Sequence, residues 1–235
     1  MKKVLSKIKK CLFILYYYLI FSFLLVKDGF FVICPIRIHD WLISLYTCRG
    51  YILGKKKNEY FFIKIGRKDV CLNNEVYINK QIYPNKSKYL LFAVYFSKNY
   101  RSKCVYVAYK YCKHKQLIDF QMGGGISKTN ILLSIKNILD ELCLLGMSHC
   151  DFNVHNLIVV NNDIYLIDYG SAILCSKQFL PCINEDIYEF NDSVNAIYLL
   201  THYFGFSNDE VSFLYKKSFF KDKTKKICEI DDFWI

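Results

Sequence analysis

The stretch GMSHCDFNVHNLIVVNNDIYLIDYG, Gly146–Gly170, decides how this chain is read. Two apolar runs, Leu157–Val160 and Ile164–Ile167, flank the polar triplet Asn161-Asn162-Asp163. Alternating or continuous apolar runs around an Asn-rich turn predict a β-hairpin. His149, Asp151 and Asn156 precede the first strand, and Asp168, Tyr169 and Gly170 follow the second. Closing the hairpin brings oxygen-bearing side chains to one end, the donor type that hard cations such as Mg²⁺ take together with substrate phosphates.

The chain around this hairpin alternates between β-like and helical patterns. From Trp41, strands are expected at Leu42–Tyr46, Tyr51–Leu53 and Tyr60–Ile65, with turns at Thr47–Gly50 and Gly54–Glu59. A short helix is expected around Asn74–Ile78, and two more strands at 89–96 and 104–111. Ile131, Leu132, Ile135, Ile138, Leu139 and Leu142 recur at helical spacing, with Ser127 or Thr129 as N-cap and Gly146 closing the end. Gly123-Gly124-Gly125 reads as a connector, because no Lys-Ser/Thr directly follows its last glycine and no strand closely precedes it. Lys64 lies among large apolar residues in Phe61-Phe62-Ile63-Lys64-Ile65. A lysine in such a strand needs a partner for its ammonium, and Glu75 is the candidate.

In order and spacing, His149-Cys150-Asp151 with Asn156, then Asp168-Tyr169-Gly170, resembles the catalytic signature of the protein-kinase-like superfamily. The resemblance covers roughly residues 42–200. It implies an α+β, bilobal kinase-like fold with a small β-rich N-lobe at 41–111 and a reduced helical C-lobe at 112–235. It implies ATP and Mg²⁺ as cofactors. Asp151 would orient or accept the proton of the attacking hydroxyl, and Asn156 and Asp168 would hold the metal. Lys64, paired with Glu75, would neutralise phosphate charge. Gly50, the last glycine of a glycine-poor lid, would lie by the nucleotide. His149 is expected to be structural, bonded to the hairpin backbone, and His155 to face solvent.

The chain also departs from conventional protein kinases. Cys150 stands where many carry an Arg that meets a phosphorylated loop, and a neutral thiol cannot form that pair. The segment after Asp168 is short and no Ala-Pro-Glu follows. Asp192 begins a helix-like run, with only a short tail beyond it. These traits are similar to those of the small atypical kinases: RIO kinases, lipopolysaccharide-core sugar kinases and aminoglycoside phosphotransferases. The implied activity is transfer of the γ-phosphate to a hydroxyl of a cell-envelope glycolipid sugar or other non-protein acceptor. Two alternatives are a small Ser/Thr protein kinase and a catalytically weak binding or scaffold protein.

At 235 residues, 53% of them hydrophobic and 17% aromatic, the chain has material for a sizeable core and excludes global disorder. The eleven cysteines are odd in number and contain no C-x-x-C, which favours a reducing compartment over a disulfide framework. The net charge of +11 suits phosphates or an anionic surface. No nucleic-acid-reading motif accompanies it.

Residues 1–40 form a basic, then apolar segment. Five lysines fall in residues 1–10, and residues 11–26 read CLFILYYYLIFSFLLV. That run is shorter than the roughly 20 residues a membrane span needs. Positive charge before a span would also send the kinase-like region away from cytoplasmic ATP. Two readings stay open: a segment packed on the domain, or a basic, aromatic anchor on the inner face of an anionic membrane, the chain itself remaining cytoplasmic.

Overall fold

The computed structural model describes residues 2–37, 48–82, 87–99, 103–120, 125–174 and 192–217. The expected strand at Leu42–Tyr46, most of the glycine connector and the acidic stretch Asn184–Glu189 lie outside these residues. The fold is mixed α+β with antiparallel sheets. It divides into two compact units, drawn from Met1–Gln81 with Phe92–Cys112 and from Ile82–Leu91 with Lys113–Ile235.

The first unit begins with α1 (Lys2–Lys27), so the lysine-rich start and the apolar run form one helix. Gly29 ends it at φ +83°, with Gly29 N–H donating to Val26 O and Phe30 N–H to Leu25 O. This left-handed cap satisfies the last carbonyls and turns the chain back onto the sheet. The sheet has the order β1-β2-β3-β5-β4, with every neighbour antiparallel. Its strands are β1 (Phe31–Arg37), β2 (Cys48–Lys56), β3 (Glu59–Arg67), β4 (Tyr95–Asn99) and β5 (Cys104–Lys110). Helix α2 (Val70–Ile82) follows β3. Lys57 and Asn58, both at positive φ, make the tight turn between β2 and β3.

Strand alternation gives this sheet two different faces. Phe61, Ile63 and Ile65 of β3 lie with Ile52, Cys104, Tyr106 and Ala108 in one core, and Tyr17, Phe21 and Leu25 of α1 pack into it. Phe30 sits edge-on to Phe61, Tyr95 and Tyr106, at centroid distances of 5.5–5.9 Å. Gly54 makes room for this packing. A Cβ there would lie 2.6 Å from Ile63 Cδ1. The end of α1 is fastened by Tyr106 Oη donating to Asp28 Oδ2 at 2.6 Å and by Lys56 Nζ donating to Asp28 O at 2.7 Å. Burial, then the bond to Asp28 and its charge, push the Tyr106 hydroxyl far above the usual tyrosine range. Arg67 lies over the Tyr17 ring at 5.1 Å.

Two strand expectations are corrected. The run 89–96 is not one strand. Tyr89 and Leu91 bond through their backbones to Leu166 of the second unit, whereas β4 begins only at Tyr95. One apolar run serves two cores, which periodicity cannot divide. Gly50 is also not in a turn: β2 already runs through it, opposite Ile65, and continues past Gly54 to Lys56.

The second unit carries β6 (Lys115–Gln116), α3 (Lys128–Leu144), β7 (Met147–Ser148), β8 (Leu157–Val160), β9 (Asp163–Leu166), β10 (Ile173–Leu174), α4 (Asp192–Phe204) and α5 (Asn208–Val211). Ser127 Oγ caps α3 by accepting from Asn130 N–H. Its apolar stripe Ile131, Ile135, Ile138, Leu139 and Leu142 is buried, and α3 lies against α4, β7 and β9. Strands β8 and β9 form the expected hairpin, turned by Asn161 and Asn162 at positive φ, with β6 beside β8. Among the described residues, no helix is long and apolar enough to cross a membrane.

Candidate functional site

In the first unit, the face of the sheet away from α1 carries Lys64. Cross-strand register places Lys64 opposite Val107 and Phe62 opposite Tyr109, on the side that α2 covers with Glu75. Lys64 is 9% exposed and Glu75 1%. The ammonium donates to both carboxylate oxygens, at 2.9 and 3.2 Å. The Tyr109 hydroxyl donates to Glu75 Oε1, and its ring lies 5.5 Å from Lys64 Nζ. Asn79 extends the set, its Nδ2 donating to Glu75 O at 2.7 Å and its Oδ1 accepting from Ala93 N–H at 2.6 Å. The partner that burial demands for Lys64 is therefore Glu75, one helix on. The Tyr109 side chain belongs to this buried cluster.

In the second unit, the loop from Ser148 to Asn156 is tied down at each end. Asp192, 4% exposed at the start of α4, takes Ser148 Oγ–H at 3.0 Å and His149 N–H at 2.7 Å on Oδ2, and Cys150 N–H at 3.0 Å on Oδ1. Burial pushes the Asp192 carboxyl above its ordinary value; His149 and the three hydrogen bonds oppose that without cancelling it. These bonds hold Cys150 at φ +59°, a left-handed conformation uncommon for a residue with a Cβ. His149 is fully buried and its Nε2–H donates to Ile167 O at 2.9 Å, since a carbonyl can only accept. Its ring meets Tyr169 edge-on at 5.4 Å, and Tyr169 Oη donates to Leu166 O.

Asp151 stands exposed at the head of the loop. Asn153 Nδ2 donates to its Oδ1 at 2.7 Å, and Asn156 Nδ2 to its Oδ2 at 2.8 Å. Asn153 Oδ1 in turn caps the 3₁₀ turn Val154–Asn156, accepting from His155 and Asn156 N–H. The carboxylate is thus aimed by two amides rather than by a cation. Asn156 O accepts from Ile167 N–H at 2.9 Å. That rung closes the hairpin and puts Asn156 beside the residue preceding Asp168. Asp168 has φ +68° and ψ +76°, a strained backbone that Asp tolerates better than most residues. It precedes the 3₁₀ turn Tyr169–Ser171 without capping it through its side chain.

Lys64 and Glu75 are in direct contact, Asp151 and Asn156 are hydrogen-bonded at one end of the hairpin, and Asp168 follows Ile167, whose N–H bonds Asn156 O. Gly50 lies in strand β2, and His155 is exposed. The sequence reading missed Asn153 and the anchoring role of Asp192. Asn153 could have been found as an Asx cap directly before the 3₁₀ turn. Nothing local marks Asp192 as the acceptor for residues 148–150. Among the described residues no three His, Cys, Asp or Glu side chains cluster as a metal centre. The hard oxygen donors carried by this loop and hairpin end are Asn156 Oδ1, its Nδ2 being given to Asp151, and the carboxylates of Asp151 and Asp168. Neither a scan against protein-family models nor a search of curated proteins yields a significant match to this chain.

Proposed function

We propose that this chain is an ATP- and Mg²⁺-dependent phosphotransferase of protein-kinase-like fold, its two units being the two lobes, that passes the γ-phosphate to a hydroxyl of a non-protein acceptor such as a cell-envelope sugar. One observation carries the reading. An exposed carboxylate, Asp151, is held by the amides of Asn153 and Asn156, and Asn156 O takes the N–H of Ile167, the residue before Asp168. Phosphoryl transfer asks the protein mainly for positioning and charge stabilisation, so a fixed carboxylate and two oxygen ligands are the parts it needs.

In this reading Asp151 orients the acceptor hydroxyl and takes its proton. Asn156 and Asp168 would hold Mg²⁺, which would neutralise phosphate charge. Lys64, kept in place by Glu75 and Tyr109, offers its ammonium to phosphate oxygens. Gly50, inside β2, would contribute backbone alone. The neutral Cys150 has no charge for a phosphorylated loop, which supports an enzyme not switched by loop phosphorylation.

The test is transfer from labelled ATP with Mg²⁺ into lipid and protein fractions of a cell extract. Label in glycolipid, none in protein, and none in either with Asp168→Ala is the expected result. Label in protein would make this a small Ser/Thr protein kinase. No ATP turnover by the wild type would leave a binding or scaffold protein.

A further inference from the structure

We propose that the solvent-facing stripe of α1 is a docking surface for an anionic lipid bilayer, on which the helix lies flat. The inference is independent of phosphotransfer. Tyr17, Phe21 and Leu25 occupy one side of the helix and are buried against the sheet. On the opposite side, Ile8, Leu12, Leu15, Tyr16, Leu19, Phe23 and Val26 recur at three- and four-residue steps, each more than half exposed and Phe23 at 71%. Scattered apolar side chains on a surface need no explanation, but a continuous row along five turns of one helix does. Phe31 of β1 is 70% exposed just beyond it.

Charge chooses the occupant. Lys2, Lys3, Lys7, Lys9 and Lys10 fall in the first three turns, Lys27 ends the helix, and residues 1–27 contain no Asp or Glu. A second copy placed on this stripe would set two cationic helices side by side. An anionic bilayer answers the charge and the apolar row together. The fold sets the orientation. The helix is pinned along the sheet by its inner stripe and by Tyr106 and Lys56 at Asp28. Standing it upright in a membrane would strip the sheet of its cover. The helix therefore lies in the interface, with the Lys64 face of the sheet turned away from lipid.

The test uses the full chain and vesicles of phosphatidylcholine with or without phosphatidylglycerol. Sedimentation with the anionic vesicles, weakened by added salt, is expected. The double variant Leu19→Asp/Phe23→Asp, at exposed positions that leave the core intact, should lower partitioning about tenfold or more. Its circular dichroism should match the wild type. A Leu19→Trp variant should be quenched by shallowly brominated lipid. Absence of vesicle binding at low salt, unchanged binding by the charged pair, no quenching at position 19, or a lipid-free dimer that the charged pair dissociates would each overturn the proposal.

Discussion

Asp192, the first residue of α4, takes backbone hydrogen bonds from His149 and Cys150, which lie 43 and 42 positions earlier. The helix thereby holds the loop that presents Asp151. Replacing the acid by Asn leaves one oxygen for donors that now use two. We expect Asp192→Asn to cost about 1–3 kcal/mol in urea unfolding, the usual penalty for a stranded buried donor. A cost below the error of the measurement would show that these bonds are not holding the loop.

The same carboxyl imposes a pH dependence. Its folded-state value is raised above the ordinary 3.8, with burial the largest cause. The folded protein therefore binds this proton more tightly than the unfolded chain. The contribution is fully present below the ordinary value and is lost as pH rises through the raised one. The stability of wild type relative to Asp192→Asn should fall from about pH 4 towards neutrality. Urea titrations of both proteins across that range provide the check, and parallel curves would contradict it.

Glu75→Ala leaves the Lys64 ammonium buried without its carboxylate. The expected loss is about 3–5 kcal/mol, and Lys64→Met/Glu75→Leu should recover much of it, because a buried pair is costly to break but not to replace. ATP binding should fail in the double variant although its stability returns. That split separates the structural part of the pair from its proposed phosphate contact.

Asp151 is exposed and touches Asn153 and Asn156 rather than the core. Asp151→Asn should change stability by less than about 1.5 kcal/mol. It should lower the rate of Mg²⁺-dependent phosphate transfer about 10²–10⁴-fold, the range for a lost general base. A variant that keeps its rate would move the proton acceptor elsewhere.

Gly54→Ala sets a methyl against Ile63 Cδ1. The overpacking should cost about 1–3 kcal/mol. Ile63→Val removes the opposing atom, so the double variant should be more stable than the sum of the singles predicts. Strict additivity would mean that the approach of Gly54 to Ile63 is not what the glycine is for.

Several parts of this protein were legible in the chain because their causes are local. Asn161-Asn162 between Val160 and Asp163 turns the hairpin through backbone conformations that Asn tolerates. The stripe from Ile131 to Leu142 writes α3 at helical period, and Ser127 caps it. Lys64 and Glu75 could be paired at a distance of 11 positions, since a buried ammonium demands an acid.

Other features depend on partners that no local pattern names. Asp192 has no sequence mark linking it to residues 148–150. The run at 89–96 is apolar throughout, yet its halves belong to different units. The helix at 2–27 shows the same limit most clearly. Its residues require an apolar surrounding but do not say which one, because a sheet face and a lipid tail are equally dry. Only the tertiary structure assigned Tyr17, Phe21 and Leu25 to the sheet and left Leu19 and Phe23 facing outward, since which side of a helix is covered depends on what folds against it.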